Sequence, residues 1–287
     1  MLLTDKTYRW QSKKYNMFEK EPQFINSEEK KPERKEKTSL EELKEYIKEM
    51  SLELRKEGIP VDERARIDVN KFNKVYSEAS ISSDMAWVKD LKTRFEKTAA
   101  SNSQWAFAFP KEKALRDVPL GGVFEMLATS VLNKKMGKDF IITRTSEYDD
   151  IRRKMDNIIL ERKTGNIVCA FDEIGAVSGE RFEEKENKVL ERNWKRGGAD
   201  LKYGIFFEKK AGKMELKKGP IYHIPLFYLA MSEKDIKDAL DNQGQQEQVF
   251  YKFVESIKKQ IEKLKEYPVH SKLKERLDYF EKSIEKF

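Results

Sequence analysis

The strongest constraint on the fold is a pair of short apolar runs, Asn157-Ile158-Ile159-Leu160 and Ile167-Val168-Cys169-Ala170-Phe171, parted by Lys163-Thr164-Gly165-Asn166. Runs of this length around a glycine-containing turn predict two antiparallel strands joined as a hairpin. Before them, Phe124, Met126, Leu127, Val131 and Leu132 recur as in a helix that starts near Gly121 and ends near Gly137, and Phe140-Ile141-Ile142 reads as a strand. After them comes a helix from about Gly179 to Arg196, stopped by Gly197-Gly198, and then the strand Tyr203 to Phe207. Lys210-Ala211-Gly212-Lys213 turns the chain, and the apolar run Ile221 to Met231 supplies a further strand. The order is helix, three strands, helix, strand, which predicts an α/β fold with a central mixed sheet flanked by helices.

The flanks read differently. Residues 1 to about 38 are dense in Lys, Glu, Gln and Asn, with the run Glu28 to Lys37, and bury too little apolar area to offset ordering entropy. They are expected to form a flexible charged arm, or an arm that tracks nucleic-acid backbone. Residues 39–114 are expected to be mainly helical: Ser39 with Glu42 makes a capping box, and Leu40, Leu43, Ile47, Met50 and Leu54 follow at helical spacing up to Gly58. A second helix is expected near Asp84 to Lys97. The rings of Phe72, Tyr76, Trp87, Phe95, Trp105, Phe107 and Phe109 are assigned to core packing. The α/β core spans 115–231. In 232–287, stripes at Phe250, Phe253, Val254, Ile257, Ile261, Leu264 and at Leu273, Leu277, Phe280, Ile284, Phe287 predict a C-terminal helical hairpin that caps the domain or pairs with a second copy.

Composition excludes several function classes. No window approaches the length of apolar sequence that a membrane span needs, and the start lacks the pattern of a secretory signal, so a cytoplasmic protein with no membrane partner is expected. The one cysteine, Cys169, lies within an apolar run and reads as inert core. A formal charge of +7 favours an acidic partner, nucleic acid first. No phosphate-binding glycine loop, paired-cysteine zinc pattern or nucleophilic serine elbow is present. His223 sits in the apolar run Ile221 to Ile224 as a satisfied strand residue. Carboxylates remain.

The informative carboxylates stand at strand ends. Asp156 precedes the first strand of the hairpin and Asp172 follows the second, so folding at the Lys163–Asn166 turn brings both to its open end. Paired carboxylates in a partly buried site repel, and a divalent cation relieves the repulsion. Hard oxygen ligands select Mg²⁺ or Mn²⁺. Glu125, in the first turn of the preceding helix, joins from another side.

On these residues the chain resembles the PD-(D/E)xK, or restriction-endonuclease-like, nuclease superfamily. Glu125, Asp156 and Asp172-Glu173-Ile174 take the places of the helix Glu, the strand-opening Asp and the Asp/Glu-x-Lys, with Met155 instead of the nominal proline and Ile174 instead of the lysine. Glu161-Arg162-Lys163 fits the letters of that triplet but lies in the turn. The resemblance implies a metal site of Asp156, Asp172, Glu125 and the backbone carbonyl of Glu173. It also implies a lysine from the following helix, Lys188 before Lys185. That helix carries a basic ridge of Lys185, Lys188, Arg192, Lys195 and Arg196 for phosphodiester backbone. The implied function is a metal-dependent endonuclease on DNA, with RNA not excluded, of the type II restriction or repair and junction kind. A homodimer would suit double-strand cleavage. The alternative is a non-catalytic nucleic-acid-binding or interaction protein on a degenerate nuclease fold.

Overall fold

The computed structural model describes residues 38–101, 120–210 and 212–287. The charged arm expected over 1–38 lies outside them except for Thr38, as do Trp105, Phe107 and Phe109. Helix α1 (Ser39–Lys56) starts with Thr38 as its cap. The Thr38 hydroxyl accepts the Glu41 N–H at 3.3 Å and the Glu41 carboxylate accepts the Thr38 N–H at 2.8 Å. The capping box is thus one residue earlier than the Ser39–Glu42 pair, because Thr38 also has an acid three positions on. A helical turn, Val69–Phe72, leads to α2 (Glu78–Ser101), longer than expected. Phe72 is fully buried, whereas Phe95 is 56% exposed and is not a core ring.

Helix α3 (Leu120–Met136), strand β1 (Phe140–Arg144), helix α4 (Glu147–Arg153), strands β2 (Asn157–Glu161) and β3 (Ile167–Ile174), and helix α5 (Glu180–Arg196) follow in order. Next come β4 (Ala199–Lys210), β5 (Lys213–Ile224), β6 (Leu226–Ala230), α6 (Glu233–Asp241), α7 (Gln243–Lys265) and α8 (Ser271–Ile284). The architecture is α/β, with a four-stranded mixed sheet ordered β1-β2-β3-β6. β1, β2 and β3 run antiparallel in turn, and β6 lies parallel to β3.

The strand that follows α5 into this sheet is β6, not the strand around Tyr203. β4 and β5 form a separate two-stranded ribbon, paired from Ala199↔Ile224 to Lys210↔Lys213. Pattern explains the division. Leu226-Phe227-Tyr228-Leu229-Ala230 is continuously apolar and fits a strand covered on both faces. The outer ribbon, with Glu208, Lys209, Lys210, Lys213 and Glu215, is suited to solvent. The ribbon crosses the β2–β3 turn at Gly165, whose φ is +69° and whose carbonyl accepts the Phe207 N–H at 3.1 Å.

Helix α5 is pinned to β6 by Asn193, fully buried, which donates to the Leu226 carbonyl at 2.7 Å and accepts the Leu226 N–H at 2.9 Å. The C-terminal stripes are spent inside the chain: α7 packs on β6 and α8 on β3, with Phe253 against Phe124 and Phe280 against Phe227. One buried cluster runs from Leu40 through Cys169 to Ile284, so the described parts of the segments 39–114, 115–231 and 232–287 share a core. His223, next to last in β5, has φ +59°, bonds the Gly197 carbonyl through Nδ1 at 2.9 Å and stacks on His270.

Candidate functional site

The site forms where β2 begins and β3 ends. Register Asn157↔Phe171 carries Asp156 to the Asp172–Glu173 end of β3, so the hairpin brings Asp156 beside both. Side chains alternate faces along a strand, and Asp172 and Glu173 therefore serve two different environments. Asp156, buried at 7% exposure, takes Glu173 as its partner, its Oδ2 accepting the Glu173 N–H at 2.6 Å. Asn157 donates to Glu173 Oε1 at 2.6 Å and is itself held by the Thr129 hydroxyl at 2.8 Å. Glu173 Oε2 is buried with no hydrogen-bond partner.

Two further carboxylates close the pocket. Glu125 comes from α3, in its second turn and not its first, because the helix begins at Leu120. Asp150 comes from α4. One oxygen each from Glu125, Asp150 and Asp156 lies within 4.8 Å of the others, a set able to hold a metal ion. Asp172 is not among the three. Asp150 escaped the sequence reading because an acid in the first turn of a short helix is accounted for by the helix dipole.

Two guanidiniums, one buried and one largely so, face these acids. Arg144, on β1, bonds Glu125 Oε2. Arg66 bonds the same oxygen at 2.6 Å and reaches Asp150 Oδ2 at 2.9 Å. Arg66 arrives on a segment in which Val61 bridges to Ile67 and Arg66 pairs with Arg144, extending the β1 edge. Nothing local marks Arg66, since its partners stand 59 and 84 positions away.

Burial raises the Asp156 carboxyl well above its ordinary value, and the neighbouring charges of Glu173, Glu125 and Asp150 raise it further. Burial likewise pushes Glu173 up to about 7, against the hydrogen bonds it makes with Asp156 and Asn157. Burial opposes the charge of Arg66, but the carboxylates of Glu125, Asp150 and Asp156 hold its pKa above that of an ordinary arginine.

On the other side of β3, Asp172 is 6% exposed and pairs with the Lys185 ammonium. Burial raises its pKa while Lys185, Lys154 and Arg192 draw it back. Lys185, and not Lys188, is thus the α5 lysine at the strand acid. The Lys188 ammonium pairs with Glu184 on the exposed face of α5, one turn away at 2.5 Å. A cleft of about 410 Å³ opens here, lined by Asp172, Glu173, Glu184 and Glu191 and by six cations: Lys154, Arg181, Lys185, Lys188, Arg192 and Arg196. Four of the five expected ridge positions, all but Lys195, therefore border the cleft, with Lys188 and Arg196 still exposed. Lys195 is outside the cleft lining, paired with Glu191 at 2.6 Å and set over the Trp194 ring. Among the described residues Lys154, Arg181 and Arg196 have no carboxylate at ion-pair distance. Glu161-Arg162-Lys163 lies at the far end of β2, where Arg162 pairs with Glu57.

No protein-family model matches the chain, and neither the curated proteins nor the solved structures contain a match to it. Among the described residues no helix is long and apolar enough to cross a membrane.

Proposed function

We propose that the chain is a divalent-metal-dependent nuclease that hydrolyses DNA phosphodiester bonds. The observation that carries this reading is the pairing of an under-neutralised acidic pocket with a cationic cleft on either side of the end of β3. Glu125, Asp150, Asp156 and Glu173 bring four carboxyls, while Arg66 and Arg144 bring two positive charges. Asp156 and Glu173, the two carboxyls without a guanidinium, and the unpartnered Glu173 Oε2 suit one divalent cation, whose charge would favour their ionised forms. All donors are carboxylate oxygens, which favours Mg²⁺ or Mn²⁺. The order α3, β1, β2, β3, α5, β6, with β6 parallel to β3, further supports kinship with the PD-(D/E)xK nucleases.

In this reading Glu125, Asp150 and Asp156 hold the ion, with Glu173 beside them. When bound, the ion supplies Lewis-acid stabilisation of charge at the phosphoryl group. Asn157 and Thr129 fix the Glu173 carboxyl. Lys154, Arg181 and Arg196 bind the backbone phosphates, a role that sets register without reading sequence. Asp172 positions Lys185, whose ammonium stabilises the negative charge that develops on the scissile phosphate. Lys185 thereby takes over the duty of the lysine that Ile174 displaces.

One observation favours the alternative of a non-catalytic nucleic-acid binder. Glu125 is already satisfied by two guanidiniums, as in an ion-pair network that needs no metal. Incubation of supercoiled plasmid with Mg²⁺ or Mn²⁺ separates the two. Nicking by the parent that EDTA abolishes and Asp156→Asn lacks is expected. Intact plasmid in every lane, with the parent still retarding DNA in a gel, would move the assignment to the binder.

A further inference from the structure

We propose that Arg66 is the resident cation of the acidic pocket, a guanidinium that cross-links Glu125 and Asp150 until a divalent ion takes those oxygens from it. The inference rests on the metal-site reading above. Glu125 and Asp150 are two of the three residues whose oxygens converge within 4.8 Å. Arg66 already spans them, with one terminal nitrogen on Glu125 Oε2 at 2.6 Å and the other on Asp150 Oδ2 at 2.9 Å. The guanidinium thus makes the connection that an ion would make, through the same carboxylates. An arginine does not deprotonate in a protein, so an entering ion must displace it and cannot wait for it to titrate.

The two arginines are anchored differently. Arg144 belongs to β1, is 4% exposed and serves Glu125 alone, so Glu125 keeps its place when Arg66 leaves. Arg66 sits on a short edge segment. That segment is tied to β1 by the Ile67 N–H on the Arg144 carbonyl at 3.0 Å and the Arg144 N–H on the Ala65 carbonyl at 2.8 Å. Ala65 just before it adopts φ +56°, a left-handed conformation that residues with a Cβ take at a cost. The Thr143 hydroxyl on the Ala65 carbonyl at 2.7 Å and the Arg66 N–H on Asp62 Oδ1 at 2.9 Å hold it further, so the strained turn at Ala65 is the point at which it can yield. Displacement leaves a buried-edge guanidinium free beside the site, where it can meet a second anion.

Calorimetric titration with MnCl₂ tests the proposal on the parent, Arg66→Met and Asp156→Asn. Met keeps the aliphatic stem and removes the competing charge. The expected result is Mn²⁺ binding by the parent, binding at least tenfold tighter by Arg66→Met, and none by Asp156→Asn. Equal or weaker affinity in a folded Arg66→Met, with the parent still binding, would overturn the proposal and leave the metal site standing. No binding by either would take down the metal-site reading and this inference with it. A second measurement needs no variant: amide hydrogen exchange on the parent with and without Mg²⁺. At least fivefold faster exchange at Ile67 and Arg144 is expected on Mg²⁺ addition, and unchanged or slower exchange there would refute displacement of Arg66.

Discussion

Replacing Glu173 with glutamine changes how the fold responds to pH, and the size of the change follows from the site. Burial pushes the Glu173 carboxyl from 4.5 up to about 7, so the folded chain holds a proton that the unfolded chain has already released. A group raised in this way adds stability below its unfolded pKa, near 4.5, and the addition is lost as pH climbs through about 7. At about 1.4 kcal/mol per pH unit the loss is on the order of 3 kcal/mol, or roughly 6–12 °C in Tm for a folded unit of this size. Glutamine mimics the protonated form: it keeps the acceptor for Asn157 and offers its amide to Asp156. The assay is thermal unfolding by circular dichroism between pH 4.5 and 8 in EDTA. The difference between the Glu173→Gln variant and the parent isolates Glu173 together with Asp156, whose titration depends on it, from the more distant carboxylates. That difference should swing toward the variant by most of this amount as pH rises, and 5 mM Mg²⁺ at pH 8 should restore the parent. A difference that stays constant with pH would refute the reasoning.

Lys185→Ala should lower metal-dependent cleavage by about a hundredfold, in the range of losing one positioned charge, whereas Lys188→Ala should change it less than about threefold, both read from initial nicking rates. Gly165→Ala should destabilise the fold by at least ~2 kcal/mol in a urea melt, since its Cβ would stand 2.2 Å from that of Phe207 at a φ of +69°. Asn193→Leu strands both backbone groups of Leu226 and should cost about 2–4 kcal/mol in the same assay.

Local pattern made much of the scaffold legible. The β2–β3 hairpin, α3, α5 and the C-terminal stripes each announce themselves through apolar spacing bounded by glycine or a cap, and except on α5, where only Val189 and Asn193 are buried, burial follows that spacing. The pairing of Asp156 with the end of β3 was legible for the same reason, because a turn dictates which residues meet. Legibility stopped where contacts are long-range. Alternation along β3 divides Asp172 from Glu173, and only the folded register decides which of them meets Asp156. Asp150 looked like ordinary helix-start charge, and Arg66 reaches the pocket from a loop with no local signal. The β4–β5 ribbon was misplaced because Tyr203 to Phe207 is as apolar as a sheet strand. Its buried half packs against the body beside the sheet and does not pair within it. The same limit governs α5, where a stripe of cations could face solvent or a cleft, and tertiary packing set Lys185, Lys188, Arg192 and Arg196 along the cleft but not Lys195.

The measurement that tests the central claim most directly is a crystal structure of the parent grown or soaked in MnCl₂, with anomalous differences collected for manganese. The account predicts one anomalous peak coordinated by carboxylate oxygens of Glu125, Asp150 and Asp156, with Lys185 still on Asp172. An empty acidic pocket, with Arg66 bridging Glu125 and Asp150 in saturating Mn²⁺, would contradict it.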